Sequence, residues 1–418
     1  MKQEELFAIA IGIQNPWIIK NIELDLQSEE LNIEVDFVKG STFKYIDEET
    51  GEIGEFKAYD TSEKTWRHMN FFQYRCYIHA RIPRVCLGNG KIRQVKAPWE
   101  GSAFGFTLLF EALILQLAKA MTVHQICKMI GETDQKVWNL LNYYTEQCRE
   151  LSDFSEVKEI GIDETAARRG HDYVTIFVDL KDKKTIFVTE GKSSETIKDF
   201  VSDLQKHNGT AEKIEQVSCD MSPAFIKGIT ENLPNAEITF DKFHVIKIIN
   251  EAVDEVRKIE QKTNPILNNS RYVALKNRTN YTVKQKEKYE EISMSKLNLK
   301  TFRAMRIRES FQQIYQYKEN ESFEKLLRKW YFWATHCRIP QIIKVSKTIK
   351  NHWDGIVNWA KSRINNGILE GFNSIFQAAK AKARGYKKTE TIKTVIYILT
   401  GKFDFSLVNP FFSTHSFL

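Results

Sequence analysis

The sequence predicts an α/β protein in which a five-stranded core is preceded by a small β-rich segment and a group of helices. Three observations carry that expectation. Between residues 159 and 241, short β-branched runs and amphipathic stretches follow one another as strand, strand, strand, helix, strand, helix, strand. Ahead of residue 100, LNIEVDFV and YRCYIHARIPRV alternate at strand period. Between these regions, MTVHQICKMIGETDQKVWNLLNYYTEQ has the spacing of two helices around a tight turn.

Taken in order, residues 1–100 read as short strands, with Trp66, Phe71, Phe72 and Tyr74 expected to supply a small core. The apolar pattern over 104–120 predicts a buried helix. A second helix is expected over 123–130 with Gly131 ending it, and Thr133 is placed to cap a third that carries Val137, Leu140, Leu141 and Tyr144 on one face. This is the spacing of a helix-turn-helix, whose second helix enters the major groove, and it would turn Lys136, Trp138 and Asn139 toward DNA. The same hairpin also occurs as a plain packing unit.

In the core, EIGIDE, YVTIFVDL and KTIFVTEG predict an antiparallel meander. SSETIKDFVSDLQKH then reads as a capped helix, IEQVSCD as a strand, SPAFIKGITENL as a helix and AEITFD as a strand. KFHVIKIINEAVDEVRKIE follows as a helix with Phe243, Ile246, Ile249, Val253, Val256 and Ile259 in one stripe. Three strands followed by alternating helix and strand is the order of a ribonuclease H-like fold. There the first and fourth strands are neighbours, so Asp163 and Asp220 are expected to meet.

Composition narrows the function. A chain of 418 residues with 42% hydrophobic content is expected to hold two or three domains. No apolar run reaches the ~18 residues of a membrane span. The opening MKQEELFAIAIGIQNPWIIK does not read as a secretory signal. Six scattered cysteines with no CxxC pair suit reduced thiols in a cytoplasmic protein and support neither a disulfide framework nor a zinc site. The net charge of +7 conceals an asymmetry: 23–63 has 13 acids against 3 bases, 257–308 has 14 bases against 4 acids, and 334–403 has 13 bases against 3 acids. Two basic surpluses in the half that follows Asp220 point to a polyanion, and nucleic acid is the natural candidate.

Asp163 in EIGIDET and Asp220 in EQVSCDMS end β-branched runs, and Glu370 is the only acid in the helix-like, cation-rich stretch RINNGILEGFNSIFQAAKAKARGY. Two magnesium ions need several carboxylate oxygens on a rigid scaffold, and together these three acids supply them. Singly, an Asp after a strand is a turn former or a helix N-cap. Asp179 and Asp241 are structural by default, though Asp241 with His244 is expected close to the site edge, and alternation sends Glu164 to the face opposite Asp163. His244 in DKFH is open to three roles: a metal ligand, or a hydrogen bond to DNA phosphate or to a carboxylate.

IGIDETAARRGHDYVTIFVDL, VSCDMSPAFIKGI, LPNAEITFDKFHVIKIINEAVDEVR and NNGILEGFNSIFQAAKAKARGYKKTETIKTVIYIL resemble bacterial insertion-sequence transposases of the ISL type, a DDE group. KTWRHMNFFQYRCYIHARIPRV and the helix-turn-helix match as well, so the resemblance covers nearly the whole chain. It implies that Asp163, Asp220 and Glu370 are the catalytic, metal-holding triad, with Mg2+ as cofactor, Mn2+ as substitute and a helical insertion between the last two acids. The expected layout is a β-rich domain over 1–100, a helix-turn-helix domain over 101–150, the catalytic core over 151–260 and 351–405, and the insertion over 261–350.

One departure concerns the N-terminal zinc module usual in that family, with a cysteine pair near FKYIDEE and another starting at Cys86. Here the first pair is absent and LGNG follows Cys86, so no zinc is expected. The implied reaction is metal-dependent cleavage and strand transfer at the ends of an insertion sequence. The partners are double-stranded DNA, as terminal inverted repeats and target, and a second copy of the chain in a homodimer on DNA. Arg168, Arg169, His244, Asn373, Lys380, Lys382, Arg384 and Tyr386 are candidate DNA contacts beside those of the helical hairpin. Two other readings stay open: a ribonuclease H-like DNA nuclease without strand transfer, and a transposase-derived DNA-binding regulator without catalysis.

Overall fold

Alternating apolar residues build the first sheet. The computed structural model describes residues 2–47, 51, 53–102, 104–168, 172–294, 298–317, 320–364 and 367–415. Helix α1 (Gln3–Ile11) precedes strands β1 (Trp17–Asp25), β2 (Glu30–Phe37), β3 (Thr42–Ile46), β4 (Ile53–Phe71), β5 (Tyr74–Cys86) and β6 (Ile92–Gln94). The sheet runs β1-β2-β5-β4-β3 with β6 on β5, and its β2–β5 pair is parallel. Leu31, Ile33 and Val35 of β2 point into a core shared with Trp17, Trp66, Ile78 and Trp99. Trp66 is therefore a core residue as expected, but Phe71 and Phe72 are not. They lie where β4 turns into β5, Phe72 at φ 54° and 80% exposed, because a two-residue connection leaves no room to fold the rings back over the sheet.

Helices α2 (Leu108–Ala118), α3 (Val123–Ile130) and α4 (Asp134–Glu150) follow. The first starts later than the apolar pattern suggested, since the Thr107 hydroxyl accepts from Phe110 N and sets the N-cap there. Thr122 and Gln125 form a capping box on α3, and Gly131 at φ 73° closes it in the left-handed conformation that glycine favours. Val137, Leu140, Leu141 and Tyr144 are buried on one face of α4, as expected.

The second sheet holds β7 (Glu159–Ala166), β8 (Tyr173–Asp179), β9 (Lys184–Glu190), β10 (Gln216–Cys219) and β11 (Glu237–Phe240), with α5 (Glu195–Lys206), α6 (Pro223–Asn232) and α7 (Lys242–Gln261) between and after them. Its order is β11-β10-β7-β8-β9. The β7–β8–β9 meander is antiparallel, and β10 runs parallel to both β7 and β11. The first and fourth strands are thus neighbours, as the element order predicts. The stripe assigned to α7 needs correction: Val245, Ile249, Ala252, Val253 and Val256 are buried, whereas Phe243 and Ile259 are each 52% exposed.

Helices α8 (Arg271–Leu275), α9 (Val283–Met294), α10 (Lys300–Ile314), α11 (Asn320–Thr335), α12 (Pro340–Asn351) and α13 (Trp353–Ser362) separate α7 from α14 (Gly367–Lys382). One apolar cluster joins them to the second sheet, from Phe154 through Phe311, Trp330 and Trp353 to Ala360. Arg308 is wholly buried within it, its terminal nitrogens donating to the carbonyls of Ala274 at 2.8 Å and Lys276 at 3.1 Å.

By contacts the chain forms two compact units, Met1–Ser152 with Ala379–Leu418 and Asp153–Ala378. In the first, α15 (Thr389–Thr400) and the residues after it complete the core of the helical hairpin: Ile398, Phe405 and Phe412 join Ile126, Leu140 and Tyr144. Among the described residues, no helix is long and apolar enough to cross a membrane.

Candidate active site

Strand register brings three aspartates level. Ser218 of β10 pairs with Gly161, and Cys219 pairs with Phe240 of β11. Carrying both registers forward sets Asp220 beside Asp163 on one side and beside Asp241 on the other, on parallel strands about 4.8 Å apart. This is the carboxyl edge of a mixed sheet, where α/β proteins bind ligands.

Each carboxylate has local donors. Asp163 Oδ1 accepts from Glu164 N at 2.8 Å and Oδ2 from Asn373 Nδ2 at 2.6 Å. Asp220 Oδ1 accepts from Ser222 N at 2.9 Å, a turn that opens α6. Asp241 is buried, caps α7 through Phe243 N at 3.2 Å and meets His244 Nδ1 at 3.0 Å through Oδ2. Burial pushes the Asp163 carboxyl up to about 6, with the charges of Asp220 and Asp241 adding in the same direction and His244 opposing. The hydrogen bond to Asp241 holds His244 above its ordinary range against partial burial, so of the roles open to it the carboxylate contact is the one observed.

Glu370 is reached by a different device. Helix α14 runs along β7 with matched steps: Leu369 packs at Gly161, Asn373 bonds Asp163, and Gln377 Nε2 bonds Thr165 Oγ1 at 2.8 Å. Four helical residues rise about 6 Å and two strand residues about 6.7 Å, so every fourth helical side chain meets every second strand side chain. A Cβ on Gly161 would lie 2.4 Å from Leu369 Cδ1, which makes the bare backbone there a condition of the approach. Glu370, next to Leu369, is exposed; partial burial and the charge of Asp241 raise its pKa, with His244 opposing.

Among the described residues, no three His, Cys, Asp or Glu side chains stand close enough to form a metal cage on their own. The donor set nevertheless suits a hard divalent cation. It offers the desolvated Asp163 carboxyl, raised by burial and by the charges of Asp220 and Asp241, and beside it Asn373 Oδ1 is buried with no hydrogen-bond partner among the described residues. Glu164 turns to Lys192 at 3.9 Å, and Asp179 accepts from Lys181 N in the turn beyond the far end of β7. The sequence sets Asp241, with His244, close to the edge of the site, and the register brings it level with Asp220; Gln377 was missed by sequence reasoning. An N-cap aspartate gives the same local signal whether or not it faces a site, and a glutamine seven residues after Glu370 gives none.

A transposase family model matches residues 160–396, and a model described as the helix-turn-helix domain of transposase family ISL3 matches residues 95–145. The chain belongs to the ISL3 family of transposases. It is 25% identical over 343 residues to the transposase for insertion sequence element IS1001 of Bordetella parapertussis, covering 80% of this chain and 84% of that one. To the transposase for IS1557 of Mycobacterium tuberculosis it is 23% identical over 430 residues, with 94% of each chain covered. A chain of the cryo-EM structure of a simian T-cell lymphotropic virus intasome with PP2A regulatory subunit B56 gamma aligns over 45% of this chain and 74% of that chain. The TM-score is 0.18 at 16% identity, too low to bear on the fold. The protein is thus a DNA transposase, an enzyme that cuts and transfers DNA strands, and membership in this family implies use of a divalent metal ion.

The candidate DNA contacts of the transposase fall in both units. In the hairpin, Lys136 and Asn139 are exposed, Lys136 pairing with Glu132 at 3.2 Å and Asn139 Oδ1 accepting from Gln135 at 2.7 Å. Trp138 is half-buried against the hairpin core, its ring edge-on to Tyr386 at 6.2 Å. Lys382 Nζ donates to Ala120 O at 3.2 Å, Lys380 is half-buried and Arg384 is exposed. Arg168, His244 and Asn373 belong to the unit of the carboxylates, Arg168 lying 3.8 Å from Asp172. Arg169 lies outside the described residues.

Proposed function

We propose that Asp163, Asp220 and Glu370 are the catalytic carboxylates of a ribonuclease H-like core and hold two magnesium ions, for which manganese substitutes. The single observation that carries this is the state of Asp163: a desolvated carboxyl raised to about 6 beside two further aspartates, a cluster that a divalent cation would relieve. Bound there, the metal supplies Lewis-acid chemistry for in-line displacement at a phosphodiester, first with water and then with a DNA 3′ hydroxyl as nucleophile. The chain's own residues orient and screen. Asn373 fixes the Asp163 carboxylate, Asp241 anchors His244, and the hydrogen bond to Asp241 raises the His244 imidazole above its ordinary range, which favours a phosphate nearby.

In the same reading, α3 and α4 recognise the terminal inverted repeats, with Lys136 and Asn139 on the exposed side of α4, and Lys380, Lys382, Arg384 and Arg168 contact backbone phosphates. The proposed domains are a β-rich domain over 1–100, a helix-turn-helix domain over 101–150 and a core over 151–260 and 351–405 interrupted by an insertion over 261–350, with the residues from Ala379 onward in the same compact unit as the hairpin. The enzyme works in the cytoplasm, as a homodimer that pairs two ends. Asp163→Asn, Asp220→Asn and Glu370→Gln are each expected to abolish nicking of labelled element-end DNA in magnesium while retaining its binding. Persistent nicking by Glu370→Gln removes that residue from the site.

A further inference from the structure

A cleft of about 730 Å³ opens beside the candidate active site, in the same compact unit. It is lined by Lys242 and Phe243 in the first turn of α7, which directly follow Asp241, by Arg306 and Gln313 of α10, and by Trp333 of α11. Its charge is one-sided. Among the described residues, the only acid lining it is Glu309, which is taken by Arg278, Nε to Oε1 at 2.8 Å. Among the described residues, no acid pairs with Lys242 or Arg306. Lys242 instead lies over the rings of Tyr315 at 5.2 Å and Trp359 at 5.8 Å, which hold its ammonium without neutralising it.

Two aromatic rings in this basic cleft are left to solvent, Phe243 at 52% and Trp333 at 43%. Cations that track phosphates, exposed rings that accept a base face and amide side chains that bond base edges are the parts of a single-strand site. The volume falls within the roughly 300–1,000 Å³ of sites that hold small ligands.

We propose that this cleft binds unpaired deoxynucleotides of the DNA strand next to the cut, with a base stacked on Trp333 or Phe243 and phosphates on Lys242 and Arg306. The proposal rests on the active-site reading above for its place beside the cut, but its test does not require cleavage. Full-length protein is titrated against a single-stranded 12-mer carrying 2-aminopurine, without metal, and separately against duplex end DNA. Stacking is expected to quench the 2-aminopurine. Trp333→Ala with Phe243→Ala should weaken the 12-mer between about 5-fold and about 150-fold, leaving duplex binding unchanged. Trp333→Tyr should retain quenching, and Arg306→Gln should flatten the salt dependence of 12-mer binding. Unquenched fluorescence, or equal 12-mer affinity in the double variant, overturns the proposal even if the carboxylate variants behave as expected. Loss of nicking without any change here would instead support the active-site reading alone.

Discussion

Asn373 shows how one uncharged side chain organises the cluster. Its Nδ2 is committed to Asp163 at 2.6 Å, while its Oδ1 has no partner among the described residues, so the amide orients a carboxylate without neutralising it. Partners that orient metal-holding groups typically contribute about 10–100-fold in metal affinity or activity. Asn373→Ala is therefore expected to shift the magnesium concentration for half-maximal nicking upward by that range, and an unchanged magnesium dependence would rule the role out. At the same scale, burial and the neighbouring Arg67 push His68 down to about 4, its Nδ1 lying 2.8 Å from Thr107 Oγ1. Between the ordinary value near 6.5 and 4, the unfolded chain binds a proton that the folded chain does not. Stability thus falls as pH drops through that window, by up to about 3 kcal/mol for this one group. Urea unfolding at pH 7 and pH 5 should show a loss about 2 kcal/mol larger for the wild type than for His68→Gln. Asp163, Asp220 and Glu370 were legible as candidates because each stood out from its run; Asp241 was legible only as a neighbour of the site edge, because its sequence context is that of any helix cap.

At the scale of elements, the contact of α14 with β7 decides where Glu370 sits. Gly161 leaves room for Leu369, and the two amides then lock the register at Asp163 and Thr165. Gly161→Ala would force Leu369 Cδ1 and Leu180 Cδ2 off their places, which lie 2.4 and 2.9 Å from the new methyl. Overpacking of this kind costs about 1–3 kcal/mol. Because Leu369 adjoins Glu370, nicking should fall further than stability does, and Leu369→Ala in the same chain should recover part of both. Additive losses in that double-mutant cycle would show that the two residues do not press on one another. The strands and the hairpin helices were readable because their periodicity is local. The α7 stripe was misdrawn because Phe243 and Ile259 keep helical spacing at the ends, where the neighbouring layer no longer covers them, and Phe243 turns into the cleft instead.

For the whole molecule, the feature least visible in the sequence is that the helix-turn-helix is finished by the end of the chain. The motif itself lies within residues 95–145, yet its core takes Ile398, Phe405 and Phe412. Asn409 Nδ2 donates to Leu108 O at 2.9 Å and to Tyr144 OH at 3.1 Å, and Thr394 Oγ1 to Asn142 Oδ1 at 2.7 Å. Periodicity cannot reveal a partner some 250 positions away, since either segment reads as an ordinary amphipathic stretch alone. Burying each of those three side chains contributes about 1.5–3 kcal/mol, so removing them together withdraws a large part of the few kcal/mol that keep a domain folded. A chain ending at Ala378 keeps Asp163, Asp220, Glu370 and the entire helix-turn-helix sequence, and on sequence alone should still bind its ends. The packing says otherwise: in a gel-shift assay it should lose specific binding to end DNA. Asn409→Ala, which leaves the apolar residues in place, should weaken binding without abolishing it. Undiminished affinity in the truncated chain would show that the hairpin folds unaided and that the C-terminal segment only covers it.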